Sequence, residues 1–233
     1  MRTSPRTLAG TTILVDFHQD GYPRRSEPHR TELAVTAAAS IAYAVAVLNQ
    51  QVGFASNGRD AADRIREESL AAESAEAEAA GHATRDDARA RFGLNDDSDR
   101  IRPVVVETRR GFDQFQKIRE ALARLELSDA LSFAQFALEV SARIPRDATV
   151  IAVLPQVPVD TAIALGTLRR QGFAVSAILI GLDDGDKIVA HARLLAETVR
   201  DIRYANTVEE LSHLGGNTAT PGAAAYTVDI PLA

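Results

Sequence analysis

Five nearly solid runs of β-branched and aliphatic residues, separated by stretches long enough for a helix, constrain this chain more than any other feature. They are Thr11–Val15, Val52–Ala55, Pro103–Glu107, Thr149–Leu154 and Ala174–Ile180. A strand with no polar face has to be covered on both sides, which is the situation of a strand in a parallel sheet flanked by helices. Helical patterns fill the intervals. One runs from Glu32 to about Gln50, capped by Thr31, and a second covers Phe112–Leu125 with Phe115, Ile118 and Leu122 on one face. Ser132–Ile144, Val159–Gln171 (stopped by Gly172) and Lys187–Val199 complete the set. Ile202–Tyr204 reads as a short last strand at the sheet edge. The alternation predicts one α/β domain, a Rossmann-like, open and mostly parallel sheet with helices on both faces.

At 233 residues and 45% hydrophobic, the chain has material for a sizeable core, built mainly from Ala, Val, Leu and Ile because Trp is absent. Cysteine is also absent, which removes disulfides, thiolate chemistry and Cys-ligated metals. The formal charge of −6 is local: Glu67–Asp99 holds ten acids and three Arg, and the rest is close to neutral. A chain without a basic excess is not expected to bind nucleic acid. Leu33–Leu48 is the longest apolar stretch, but Thr36, Ser40 and Tyr43 interrupt it and it is short for a membrane span, so it is read as a core helix. The expected organisation is a flexible N-terminus over 1–10, the domain over 11–214 with an acidic helical insert over 59–100, and a disordered tail over 215–233.

Dinucleotide, Walker, zinc-protease and nucleophile-elbow signatures are all missing. Polar residues instead collect just after the apolar runs, in Asp16-Phe17-His18-Gln19-Asp20, Ser56-Asn57-Gly58-Arg59-Asp60, Thr108-Arg109-Arg110-Gly111 and Pro155-Gln156. If all these strands run parallel, the four loops open on one edge and converge there. Asp16 is then either a hard-cation ligand, suited to Mg²⁺, or a solvated carboxylate capping its loop. Arg109 and Arg110 either recognise an anion or acidic partner or belong to a plain turn. Asp16 and His18 also have the spacing of an acid–base pair for a hydrolase, although no nucleophile or oxyanion motif accompanies them.

Asp16-x-x-x-Asp20, the Ala-rich helix and Gln51-Val52-Gly53-Phe54 together resemble a von Willebrand factor A-like domain. Glu32–Ser40, Ser56–Asp60, Pro103–Gly111, Leu131–Gln135 and Arg169–Val175 resemble the carboxy-terminal part of the bacterial "domain of unknown function 58" family, over about Thr11 to Ile180. The first resemblance implies a metal-ion-dependent adhesion site of the form Asp-x-Ser-x-Ser, with a later Thr and a late Asp. Asp16 matches its first Asp, His18 and Asp20 occupy the two Ser positions, and Ser132 falls near the Thr. Pro155-Gln156 stands near the late Asp, so the site is a degenerate one, with Asp16, Asp20 and Ser132 as the ligands left for Mg²⁺. The second resemblance implies a non-catalytic interaction domain acting with a MoxR-type AAA+ ATPase. Its partner surface would comprise Asp16, His18, Asp20, Asn57, Arg59, Arg109 and Arg110. Members of that family carry two membrane-spanning helices and a small β-rich domain ahead of the A-like domain. Without them, this chain is expected in the cytoplasm, with membrane attachment only through such an N-terminal region. A Mg²⁺-dependent adhesion domain is the alternative function, and a hydrolase the remoter one.

Overall fold

In a computed structural model of the chain, residues 10–66, 68, 69, 72 and 102–215 are described. The strands are β1 (Thr11–Val15), β2 (Gln51–Ser56), β3 (Arg59–Asp60), β4 (Val104–Arg110), β5 (Leu125–Glu126), β6 (Thr149–Leu154), β7 (Ala174–Ile180) and β8 (Asp201–Ala205). The helices are α1 (His29–Val47), α2 (Phe112–Ala123), α3 (Phe133–Ser141), α4 (Val159–Arg170), α5 (Asp184–Ala196) and α6 (Val208–Gly215). Six strands form one sheet in the order β4-β2-β1-β6-β7-β8, and β3 pairs with β5 in a separate two-stranded ribbon. All pairings in the large sheet are parallel except β2 with β4.

Two hydrophobic layers flank the sheet. Ile13, Val15, Phe54 and Ile178 face α1, α2 and α6, which supply Leu33, Ala37, Ile118 and Leu211. Leu14, Val150, Ala152 and Leu179 face α3, α4 and α5, which supply Phe136, Val140, Leu165 and Leu194. Successive residues of β1 are buried on opposite faces, which is why its sequence has no polar alternation. The fold is therefore the Rossmann-like α/β sandwich that the apolar runs predict.

Several boundaries differ from the sequence reading. Helix α1 begins at His29 with Pro28 as its N-cap, so Thr31 lies inside the first turn, where its hydroxyl donates to Glu27 Oε2 at 2.6 Å. The helix is long and apolar enough to cross a membrane by length and composition. Here Leu33, Ala34, Ala37, Ala38 and Ala42 bury its inner face against the sheet. Ser132 precedes α3 and caps it, with Ser132 and Gln135 exchanging side-chain to backbone bonds in a capping box. Helix α5 starts earlier than expected because Asp183 accepts from the Asp186 N–H at 2.9 Å and nucleates the turn there.

The largest correction concerns β4. It continues through Thr108, Arg109 and Arg110 instead of ending before them, and it is antiparallel, pairing Arg110 with Gln51 and Val104 with Ser56. Arg59 and Asp60 belong to β3, so the expected insert begins after them; residues 61–66 are helical, and most of the remainder lies outside the described residues. The expected flexible start (1–9) and tail (216–233) also fall outside them, whereas Gly10 is buried and Gly215 ends α6.

Candidate functional site

The chain enters the sheet at β1, moves outward through β2 on one side and returns to β6 on the other. The carboxyl ends of β1 and β6 therefore border the point where the strand order reverses, the usual ligand crevice in such sheets. Asp16 leaves β1 at this point and is 2% exposed.

Asn57, just beyond β2, organises the surroundings. Its Nδ2 donates to Asp16 Oδ1 at 2.9 Å and to the Leu131 carbonyl at 2.9 Å, while its Oδ1 accepts from the Phe17 N–H at 2.7 Å. The His18 N–H donates to the same Asp16 oxygen at 3.2 Å. Tyr22, buried in the β1–α1 loop, donates its hydroxyl to the Asp16 carbonyl at 2.6 Å. A further seam joins this loop to the segment before α3: His18 and Ser128 form a parallel bridge, with Ser128 N–H to Phe17 O at 3.1 Å and Gln19 N–H to Ser128 O at 2.9 Å. Arg30 anchors the loop's other end, donating to the Gly21 carbonyl at 2.9 Å and to the Gly181 carbonyl beyond β7. Three loops are thus held as one platform.

Burial pushes the Asp16 carboxyl above its usual value, and the nearby Asp160 charge adds to that push. The Asn57 and His18 hydrogen bonds and the His18 charge oppose it. Tyr22 is driven well above the ordinary phenol value, chiefly by burial and then by the Asp16 and Glu27 charges. It stays a hydrogen-bond donor across the physiological range.

The predicted residues divide into two groups. Asp16, His18, Asp20 and Asn57 do come together, and Arg59 stands in β3 beside the same edge. Arg109 and Arg110 do not. Because β4 is antiparallel, they lie at the amino edge of the parallel strands beside Gln51, a strand length of roughly 17–20 Å from Asp16. Convergence of all four loops assumed a uniformly parallel sheet, and one reversed strand removes its third member.

A hard divalent cation does not fit the ligand set read from the sequence. Asp20 is 72% exposed at its side chain and turns to His18, whose Nδ1 lies 3.5 Å from Asp20 Oδ2 and accepts from the Asp20 N–H at 3.3 Å. Ser132 Oγ accepts the Gln135 N–H as a helix cap. Among the described residues no group of three or more His, Asp or Glu side chains is placed to hold a metal ion. The acid–base pair is not assembled either, since His18 meets the Asp16 carboxylate through its backbone N–H while its ring serves Asp20.

Sequence reading overlooked Asp160, Ser128 and Tyr22. Asp160 was signalled only by its place at the start of a helix after a strand, and Ser128 by nothing local. Tyr22 sits between Gly21 and Pro23, a context that reads as exposed turn. A groove of about 420 Å³ lies away from this site, along the outer edge of β4 between Val105, Lys117 and Arg124.

No family model matches the chain, and no curated protein matches it. Solved structures do share its fold. The pilus adhesin SpaC from Lactobacillus rhamnosus GG is similar with a TM-score of 0.58 at 11% identity, over 91% of this chain and 30% of the adhesin. Its open conformation gives 0.54 at 10% identity, over 90% of this chain and 29% of the adhesin. Proximal thread matrix protein 1 from the mussel byssus gives 0.52 at 11% identity, over 89% of this chain and 46% of that protein. The chain spans less than half of each. At such identities the likeness defines a class by fold alone, a Rossmann-like α/β domain.

Proposed function

We propose that this domain is a non-catalytic protein-interaction module that binds through the carboxyl edge of its sheet, around Asp16. The carrying observation is the Asn57 side chain, which locks the loops after β1, after β2 and before α3 into one buried network. A surface fixed before its partner arrives loses little conformational entropy on binding. Around it the exposed carboxylates of Asp20, Asp129, Asp160, Asp183, Asp184 and Asp186 outnumber the exposed Arg24 and Arg25 and give the rim a negative sign, which suits a basic partner face. Two proteins that share the fold are an adhesin and a thread matrix protein by name, which agrees with binding rather than turnover. The resemblance to the domain of unknown function 58 family directs the search for a partner to a MoxR-type AAA+ ATPase.

Calorimetric titration of the chain with the MoxR-type ATPase of its own organism, in EDTA and again in Mg²⁺, tests the reading. Equal affinity is expected in both. Asp20→Lys weakens binding about tenfold or more without lowering the melting temperature, whereas Arg109→Ala with Arg110→Ala, at the opposite edge, leaves it unchanged. Association that requires Mg²⁺, or that ignores Asp20→Lys, would overturn the proposal.

A further inference from the structure

The sheet edge opposite Asp16 has a different chemistry. There the amino ends of the parallel strands meet the last turns of α1, α3, α4 and α5 and the end of β4. Arg110, Arg143, Arg146, Arg169 and Arg200 are exposed along this edge, and none pairs with a carboxylate among the described residues. Arg109 and Arg170 are also there, engaged with Glu107 and Glu197. Among the described residues, Asp113, Glu139 and Asp147 oppose them as exposed carboxylates without an ion pair. A cation in the last turn of a helix offsets the helix dipole, which explains Arg169 in α4. It does not explain Arg110 at a strand end, or Arg146 and Arg200 in the loops that lead into β6 and β8.

On the same edge, next to Arg110 and on the opposite sheet face from the helices that end near Arg143 and Arg169, is an apolar cluster left open to solvent. Tyr43 (52% exposed), Val47 (60%) and Leu48 (56%) project from the end of α1, and Phe112 (52%) from the start of α2. Tyr43 and Phe112 both pack on the Phe115 ring, with centroids 5.5 and 5.4 Å from it, and Val47 lies one helical turn beyond Tyr43. Large apolar side chains grouped with unpaired cations match the two layers of a lipid surface, an acyl boundary beneath a plane of phosphates.

We infer that this amino edge docks on an anionic phospholipid bilayer. Tyr43, Val47, Leu48 and Phe112 enter the headgroup–acyl boundary, and the five free arginines meet lipid phosphates. Charge sets the orientation. The opposite rim carries Asp20, Asp129, Asp160, Asp183, Asp184 and Asp186 against the exposed Arg24 and Arg25, so a negative membrane repels it on balance and draws the arginine edge inward. The carboxyl edge then faces solution, open to a protein partner. A nucleic acid would use the arginines and could stack on Tyr43 and Phe112, but it gains nothing from the aliphatic Val47 and Leu48, which a bilayer takes up.

Co-sedimentation of the full chain with vesicles tests this, using phosphatidylcholine alone and equal parts of phosphatidylcholine and phosphatidylglycerol. Binding to the anionic vesicles alone is expected, lost as NaCl rises from about 0.05 to 0.5 M. Arg143→Glu with Arg146→Glu should reduce it about tenfold or more. Val47→Ser with Leu48→Ser should reduce it as well, with melting temperatures unchanged because both side chains are exposed. Equal binding to neutral vesicles, or none to anionic ones, overturns the inference. So does full binding by the serine variant, or a loss confined to heparin or DNA binding, which would make the edge a polyanion site.

Discussion

Asp16 shows how a single residue can be conspicuous in sequence and still be misread. Its position after a solid apolar strand singled it out, yet nothing near it in sequence foretells that an amide forty-one positions away donates to its carboxylate in a buried setting. The consequence is a pH dependence of definite sign. The carboxyl is raised above 3.8 in the folded protein by burial, so the folded state takes up a proton before the unfolded chain does. Its favourable contribution is complete below the unfolded value of about 3.8 and is lost as pH rises through the raised folded value. At neutral pH a buried charge is therefore a cost. Asp16→Asn keeps an oxygen for Asn57 and the His18 N–H but carries no charge. Thermal melts should show this variant a few degrees more stable than the native chain near pH 7.5, the gap closing on acidification towards pH 4. A variant less stable at pH 7.5, or a gap that does not change with pH, would show that the carboxylate is needed in its charged form.

At the scale of elements, the reversed strand β4 has its own local device. Thr108 on β4 reaches across β2 to hydrogen-bond Thr12 on β1, its Oγ1 lying 3.1 Å from Thr12 Oγ1. It passes directly over Gly53, where an added Cβ would collide with the Thr108 hydroxyl and press on its backbone. The register of β2 with β4 shifts in the same place, between Val52 and Phe54. Gly53→Ala should thus cost about 1–3 kcal/mol through overpacking, read as a lower urea midpoint with an unchanged slope. In the sequence this Gly looks like a defect in a short strand, and β4 looks like any other Val run. Strand direction has no signature in composition. It is set by pairing in the folded sheet, where β4 runs antiparallel to β2.

Over the whole molecule the two sheet edges divide the work proposed for them, an acidic protein-binding rim at one end and an arginine-rich, partly apolar edge at the other. A metal bound only by the folded state would raise the melting temperature by mass action. Because Asp20 turns to His18 and Ser132 Oγ is engaged as a helix cap, millimolar Mg²⁺ or Mn²⁺ should leave the melting temperature within a degree or so of its value in EDTA. A concentration-dependent rise would restore the metal-dependent adhesion reading.

The α/β class and the two-sided burial of β1 and β6 were legible in the chain itself; the Ser132–Gln135 capping box is equally local, although the resemblance sets Ser132 among metal ligands instead. Each depends on residues close together in sequence, through periodicity, side-chain volume or a hydrogen bond spanning three positions. Only the tertiary structure decided that Asn57 and Leu131 close on Asp16, that Asp160 adds its charge there, and that Arg109 and Arg110 stand at the opposite edge. Those facts depend on strand order and direction, which arise from packing energies summed over distant segments and leave no mark on any one of them.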